Sequence, residues 1–418
     1  MIPLIASTNS RVADWLWYSA HTILGVMPVV MAIGHRSSTL VIACATATAV
    51  AAMTFEGRFR PWLTEAAAAL RTSLGLAVLA FLGFAALSIL WSIAPGTSLR
   101  AYAEFILTLG GAFVLGFALP RRMPRAGPLL LATSVAVACL VIILDLATDL
   151  ATRQALGVRS ISFIFNRPAL TLLVLTIPLL WLLGRRGHIR VAGGVLALVT
   201  ATILYSDSGA AVFGLIAGLA AYGLARHASR LGASILAYCL GAAVMLAPIT
   251  GAIADRVLPS SVHDTLAGAN SRARIEIWKR FGDAVRRAPL LGSGFGASQG
   301  FPDTHVTQGS VGAPQTILND PAVFALWHPH NAALQTWVEL GAVGTVLGMT
   351  ALMLLLSKIA KLPRELVAVS LALVAAVAAV SMIGHGAWQG WWAAAIGAAV
   401  VWLRYDAKKV CDERHEPI

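Results

Sequence analysis

Apolar residues in this chain come in long unbroken runs. They show neither the strict alternation of a half-buried strand nor the narrow stripe of a surface helix. Runs of the length that crosses a bilayer, about 17–25 residues, lie near 14–34, 38–54, 73–93, 101–119, 128–148, 168–184, 191–206, 209–225, 232–252, 332–357, 366–384 and 387–404. In hydrocarbon a segment must satisfy its own backbone N–H and C=O groups, so each of these twelve runs reads as an α-helix. The seventh and eighth are parted only by Ser206-Asp207-Ser208-Gly209 and read as a partial hairpin or as two tilted helices with a tight turn. The first run exceeds 20 residues and lacks a small-residue cleavage site, so it reads as a retained helix. The pattern divides the chain into transmembrane helices 1–9 (residues 1–252), one large hydrophilic loop (253–331), and helices 10–12 with a short tail (332–418).

Composition sharpens this picture. Of 418 residues, 58% are hydrophobic and 12% charged, against about 25% charged in soluble domains. That excludes a cytosolic enzyme and a disordered chain, and makes lipid the solvent. The four cysteines form no CxxC and no pair shares a loop, so neither a disulfide framework nor a cysteine metal site is expected. A net charge of +12 in a soluble protein would raise nucleic acid as a partner. Here it fits basic cytoplasmic loops beside anionic membrane lipids, and no nucleic acid is expected. With the N-terminus placed in the cytoplasm, nineteen Lys and Arg fall on that side. Five fall in the short loops opposite: Arg36, Arg100, Arg153, Arg159 and Arg167. This bias puts both termini inside and the 253–331 loop outside, which for an Ala-rich chain of this kind means the periplasmic face of a bacterial inner membrane.

The loop therefore holds the candidate chemistry. Ile275, Trp278, Phe281 and Val285 recur at helical spacing between Arg272 and Arg287, with cationic residues on the other faces. Such a helix either carries function or lies on the membrane surface. Pro289 ends it, and Gly292-Ser293-Gly294-Phe295-Gly296 follows. No strand precedes that turn and no Lys-Ser/Thr follows, so it reads as a flexible connection and not as a phosphate-binding loop. At the loop's exit stand His328-Pro329-His330-Asn331, then Gln335 and Glu339 at one-turn steps. His330 is either a helix-start histidine bonded to backbone or a chemical group. A Glu within an apolar span costs about 2.5–3.5 kcal/mol, so Glu339 needs a partner or a cavity. His263, Asp303, His305 and Asp320 match no zinc spacing, and no metal or cofactor is expected. Arg153, Arg159 and Arg167 share the outer side; they pair with Asp149 or lipid phosphate, or they serve an anionic substrate.

Arginine is a permanently charged fork suited to phosphate, and a histidine among cations stays neutral and can accept a proton. Together they suit transfer of a group from a lipid diphosphate to a hydroxyl. The motifs bear a family resemblance. His330-Asn331, nine residues, then Gly341-Ala342-Val343-Gly344 resembles the loop-exit pattern of the O-antigen ligase and polymerase superfamily. Arg274 to Trp278 followed by Pro289-Leu290-Leu291-Gly292-Ser293-Gly294 is similar to its Arg-x-x-x-Trp and Pro-Leu-Leu-Gly-x-Gly elements, and Arg159 with Phe165-Asn166-Arg167-Pro168 looks like a third.

The resemblance implies an all-α, GT-C-like membrane protein of about twelve helices with one large periplasmic loop. It implies metal-independent, inverting transfer of O-antigen from undecaprenyl diphosphate to lipid A–core oligosaccharide, through a cleft open to the outer leaflet. His330 and Arg274 would be catalytic. Arg159, Arg167, His328, Asn331, Arg272 and Trp278 would hold diphosphate and sugar, with Trp327 as further stacking surface. The superfamily's Ser-Arg pair at a middle helix has no counterpart at Tyr205–Gly209, and Arg159 or Arg167 is expected to replace it. The alternatives are an O-antigen polymerase, a protein O-oligosaccharyltransferase, and, from helix number alone, a secondary transporter.

Overall fold

The structure is a computed structural model that describes residues 2–206, 208–259, 271–301 and 328–412. All regular structure among these residues is helical. The chain opens with α1 (Ile2–Gly25) and α2 (Met27–Ile33), an apolar pair bent by 49°. Then come α3 (Ser38–Phe55), α4 (Phe59–Leu70), α5 (Ser73–Leu87), α6 (Pro95–Ala118), α7 (Gly127–Ala147) and the short α8 (Ala151–Ala155). They are followed by α9 (Asn166–Arg185), α10 (Ile189–Tyr205), α11 (Gly209–His227) and α12 (Ser229–Leu246). The hydrophilic stretch contributes α13 (Thr250–Val257) and α14 (Ser271–Arg287). The last three are α15 (Ala332–Ile359), α16 (Arg364–Ile383) and α17 (Gly390–Asp412).

Each of the twelve apolar runs is helical, but fewer than twelve qualify as spans by length and composition. Nine described helices are long and apolar enough to cross a membrane, or ten when the bent pair counts as one. The difference from twelve has physical causes. α10 is 17 residues long, about 26 Å at 1.5 Å per residue, just under a hydrocarbon core of about 30 Å. α17 carries Arg404 and Asp406 among its tryptophans and is less apolar.

Helix α9 lies at the centre with 72% of its apolar window buried, and α16 follows with 61%. α11 runs along α16, and α17 crosses α6 and α9. Close approach is set by small residues: a Cβ at Gly214 would stand 2.7 Å from Leu173 and 2.8 Å from Val380. The outer helices turn large apolar side chains outward, including Leu90 (81% exposed), Tyr238 (79%) and Leu107 (75%). Water would penalise that surface, and acyl chains would not.

Ion pairs mark one end of the bundle. Arg121 meets Glu65 at 3.0 Å, Arg122 meets Glu56 at 2.7 Å, Arg185 meets Glu365 at 3.4 Å and Arg186 meets Asp406 at 3.9 Å. The amphipathic α4, which the apolar runs did not announce, lies at this end. The other end carries Arg36, Arg153, Arg159 and Arg167, together with α14. That helix does not lie loose on a surface. Ile275, Ile277, Phe281, Ala284 and Val285 are buried against α13, α15 and the 247–249 turn. Burial of such side chains contributes about 1.5–3 kcal/mol each. Gly282 permits the contact, since a Cβ there would lie 2.3 Å from the Pro248 carbonyl oxygen.

Candidate functional site

Helix α15 is broken at Gly341, whose φ of 62° and ψ of −163° only glycine holds without strain. The break strips the Val338 and Glu339 carbonyls, and the Ala342 and Val343 N–H groups, of their helical partners. The turn after α14 answers all four. Ser293 N donates to Val338 O (3.0 Å) and Gly294 N to Glu339 O (2.8 Å). In return Ala342 N donates to Pro289 O (2.8 Å) and Val343 N to Leu290 O (3.1 Å). Contact is backbone on backbone: a Cβ at Gly292 would lie 2.3 Å from the Glu339 carbonyl carbon, and one at Gly341 2.4 Å from Leu290. The glycine turn is therefore no flexible connection, as its composition alone suggested. The Pro-Leu-Leu-Gly-Ser-Gly and Gly-x-x-Gly motifs are two halves of one joint.

Glu339 sits beside this joint, fully buried. Its carboxylate accepts from Gly296 N (2.6 Å), Ser298 N (3.2 Å), Ser298 Oγ (2.5 Å), Gln335 Nε2 (2.9 Å) and Trp388 Nε1 (2.5 Å). Five donors offset the cost of burying the acid. They also tie the turn to α15 and to the 384–389 loop, where Ala387 N donates to Gln335 Oε1 at 2.8 Å.

That loop receives the catalytic candidates. A helix leaves its last carbonyls without intrahelical partners. At the end of α16, Arg274 donates to the Ile383 carbonyl, and His330 Nδ1 bonds the Gly384 carbonyl at 2.8 Å. A carbonyl only accepts, so Nδ1 carries the proton and Nε2 keeps its lone pair. Nε2 is shielded from solvent and has no hydrogen-bond partner among the described residues. The imidazole stays neutral: burial lowers its pKa to about 4, partly opposed by the bond to Gly384, with the Arg274 cation adding a smaller lowering effect. His330 has φ of 52°, a left-handed backbone uncommon outside glycine. It is held there from both sides, by its own N–H on His328 Nδ1 (3.2 Å) and by Trp278 Nε1 on the Pro329 carbonyl (2.9 Å).

Next to it lies a polar cavity of about 330 Å³ whose walls include Arg36, Arg167, His328, Glu104, Glu339 and Trp388. The His328 and His330 rings are 4.2 Å apart, and His328 Nε2 meets Gln389 Nε2 at 3.1 Å. Burial, then His330, His385, Arg167 and Arg274, hold His328 well below the ordinary imidazole range. Arg167 lies 5.4 Å over Trp391, and its buried Nη1 has no hydrogen-bond partner among the described residues. His35 records the field around it. Burial, followed by Arg167, Arg36, Arg153 and Arg159, lowers its pKa to about 4. A cationic, partly desolvated cavity beside a neutral imidazole can bind an anion and move a proton.

The structure thus gathers His330, Arg274, His328 and Arg167, with Trp278 supporting the His328–His330 turn through its indole N–H. Asn331 acts first as the N-cap of α15, its Oδ1 accepting from Leu334 N at 3.0 Å. Arg159 is exposed, over Phe163 at 5.3 Å. Arg272 is exposed on the first turn of α14. Arg153 reaches the Arg159, Ala32 and Ile33 carbonyls, which makes it a brace for the end of α2. Trp327 and the residues weighed as metal ligands, His263, Asp303, His305 and Asp320, lie outside the described residues.

Sequence reasoning missed three contributors. Arg36 counted only as a loop charge, and neither Glu104 nor His385 was assigned to the site. His385 packs edge-on to Trp391 at 4.9 Å. Burial, then His330, Arg167 and Arg274, lower its pKa to about 3. The available signal was Gly384-His385-Gly386, a polar knot between two apolar runs on the outer side.

Residues 192–349 match the family model described as O-antigen ligase. The match contains Arg274, the glycine turn, His330 and the Gly341 break, while Arg36, Arg159, Arg167 and His385 lie outside it. No curated protein and no solved structure matches the chain.

Proposed function

From its place in the O-antigen ligase/polymerase superfamily, carried by residues 192–349, we propose that this membrane protein is an O-antigen ligase. It transfers O-antigen from undecaprenyl diphosphate to a sugar hydroxyl of lipid A–core oligosaccharide, at the periplasmic face of the inner membrane. The observation that carries this reading is the neutral His330, with an unpartnered Nε2 and its ring 4.2 Å from that of His328, which lines the Arg36–Arg167 cavity.

In this reaction His330 Nε2 takes the proton from the acceptor hydroxyl as its oxygen attacks the anomeric carbon. The bond from that carbon to the diphosphate oxygen breaks, and configuration inverts. Charge grows on the departing diphosphate, and Arg167 and Arg36 face it with fixed cations that need no reorganisation. Arg274 holds the 383–384 turn that fixes the imidazole, and Glu104 is placed to accept from sugar hydroxyls. Two large lipids reach the cavity sideways. An apolar groove of about 360 Å³ along α15, lined by Met245, Val346, Met349 and Met353, suits an isoprenoid tail.

Reconstitution tests the reading. Full-length protein in liposomes, given both lipids, yields ligated product, and chelator leaves the rate unchanged. Product formed only between two donor lipids would identify a polymerase instead. The dependence of kcat/KM on pH is a second check. A base with its pKa lowered to about 4 is deprotonated throughout pH 5–8, so no inflection appears near 6.5 and the rate falls only on approach to pH 4. An inflection between 6 and 7 assigns the proton transfer to another group.

A further inference from the structure

Helices α10 and α11 are separated in sequence by three residues and leave a gap between them. The gap is a cleft of about 550 Å³ closed on its far side by α9 and α16. It lies at the opposite end of the bundle from His330: the C-termini of α9 and α11 and the N-termini of α10 and α16 frame its mouth, whereas the site uses the N-terminus of α9 and the C-terminus of α16. Its walls are apolar, with Leu180, Trp181, Leu196, Leu215, Leu219 and Val369. Its volume is that of a ligand site, which runs to roughly 300–1,000 Å³. Water in such a space would find too few hydrogen-bond partners to stay. Within a bilayer the neighbouring molecules are acyl chains, and the charges at the mouth decide whose.

Three ionic side chains line the mouth: Arg185, Arg226 and Glu365. Arg185 and Glu365 pair at 3.4 Å, and Arg185 also lies 6.0 Å over Trp181. Arg226 is exposed and leaves the group with a net positive charge. Tyr222 lies beside it, half-exposed, a residue type suited to the headgroup level.

We propose that this cleft is a binding site for an anionic diacyl phospholipid of the leaflet facing that end. One acyl chain lies between α10 and α11, and the phosphate lies at Arg226 and Arg185. The lipid acts as a wedge that holds the short α10 against the core. It is a resident component, separate from the two lipids of the transfer reaction, and the inference stands whether or not that reaction is correct.

The test is native mass spectrometry of the full-length protein in detergent, titrated with phosphatidylglycerol or phosphatidylcholine. Phosphatidylglycerol adducts persist at lower lipid concentration. Arg226→Ala narrows that preference about fivefold, the effect of removing one interfacial cation. Gly193→Trp fills the cleft, since Gly193 lines it and a Cβ there meets no atom within 4 Å; it abolishes retention of both lipids. Equal retention of the two lipids by the native chain overturns the proposal. So does unchanged phosphatidylglycerol binding in Arg226→Glu, an exposed replacement that leaves the fold intact. Displacement of phosphatidylglycerol by undecaprenyl phosphate would instead make an isoprenoid the occupant.

Discussion

Replacing His330 with alanine lowers ligation by about 10²- to 10⁴-fold, the range that a positioned general base supplies, and leaves the protein folded in the membrane. Among the described residues the side chain makes one hydrogen bond, Nδ1 to the Gly384 carbonyl at 2.8 Å, and one such bond contributes about 0.5–1.5 kcal/mol to stability. Chemistry and folding therefore separate at this residue. Arg274→Ala lowers ligation as well, because it frees the Ile383 carbonyl next to the imidazole's own anchor. In the double variant the two losses are less than multiplicative, since both act through the same turn. Product formation in liposomes and protein level by immunoblot read the two quantities independently. Normal ligation by both single variants would remove His330 and Arg274 from the mechanism.

Gly341→Ala is the largest expected loss of stability. The new methyl group stands 2.4 Å from Leu290, on a backbone with φ of 62° that alanine resists. Backbone strain of this kind costs about 1–3 kcal/mol. The clash also drives out the 289–294 turn, which makes four backbone hydrogen bonds across the break. We expect a loss of at least 3 kcal/mol, seen as a fall in melting temperature in detergent. Gly110→Ala is the paired control: a Cβ there meets nothing within 4 Å, and relief of glycine's entropy inside a helix adds about 0.5–1 kcal/mol. Equal melting of the two variants would mean that the joint carries no stability.

Much of this was legible in the sequence, for reasons that differ by residue. The helices were legible because a chain in lipid has few other backbone options. α14 was legible because Ile275, Trp278, Phe281 and Val285 keep one face. His330 and Arg274 stood in motifs, and both ends of the Gly341 joint were present as quoted residues. Their pairing was not legible, because backbone-to-backbone contact between segments distant in sequence leaves no side-chain signature beyond the glycines themselves. Arg36, Glu104 and His385 were illegible for a related reason. Each is a single polar residue in or beside an apolar run; only helix packing brings Arg36 and Glu104 to one cavity and sets His385 against Trp391 beside it. Composition also concealed that Arg153 is a brace, since spending a cation on carbonyls is a local accident of the α2 terminus.

The Gly341 joint has a consequence for biogenesis. Gly292 and Gly341 are 49 positions apart, and the turn leaves the ribosome first. In its broken form α15 carries four backbone groups that its own helix cannot satisfy, each costing several kcal/mol if left alone in hydrocarbon. The bend at Gly341 and the docking of the earlier turn are therefore one step: the helix acquires its break only where the 289–294 segment is there to meet it.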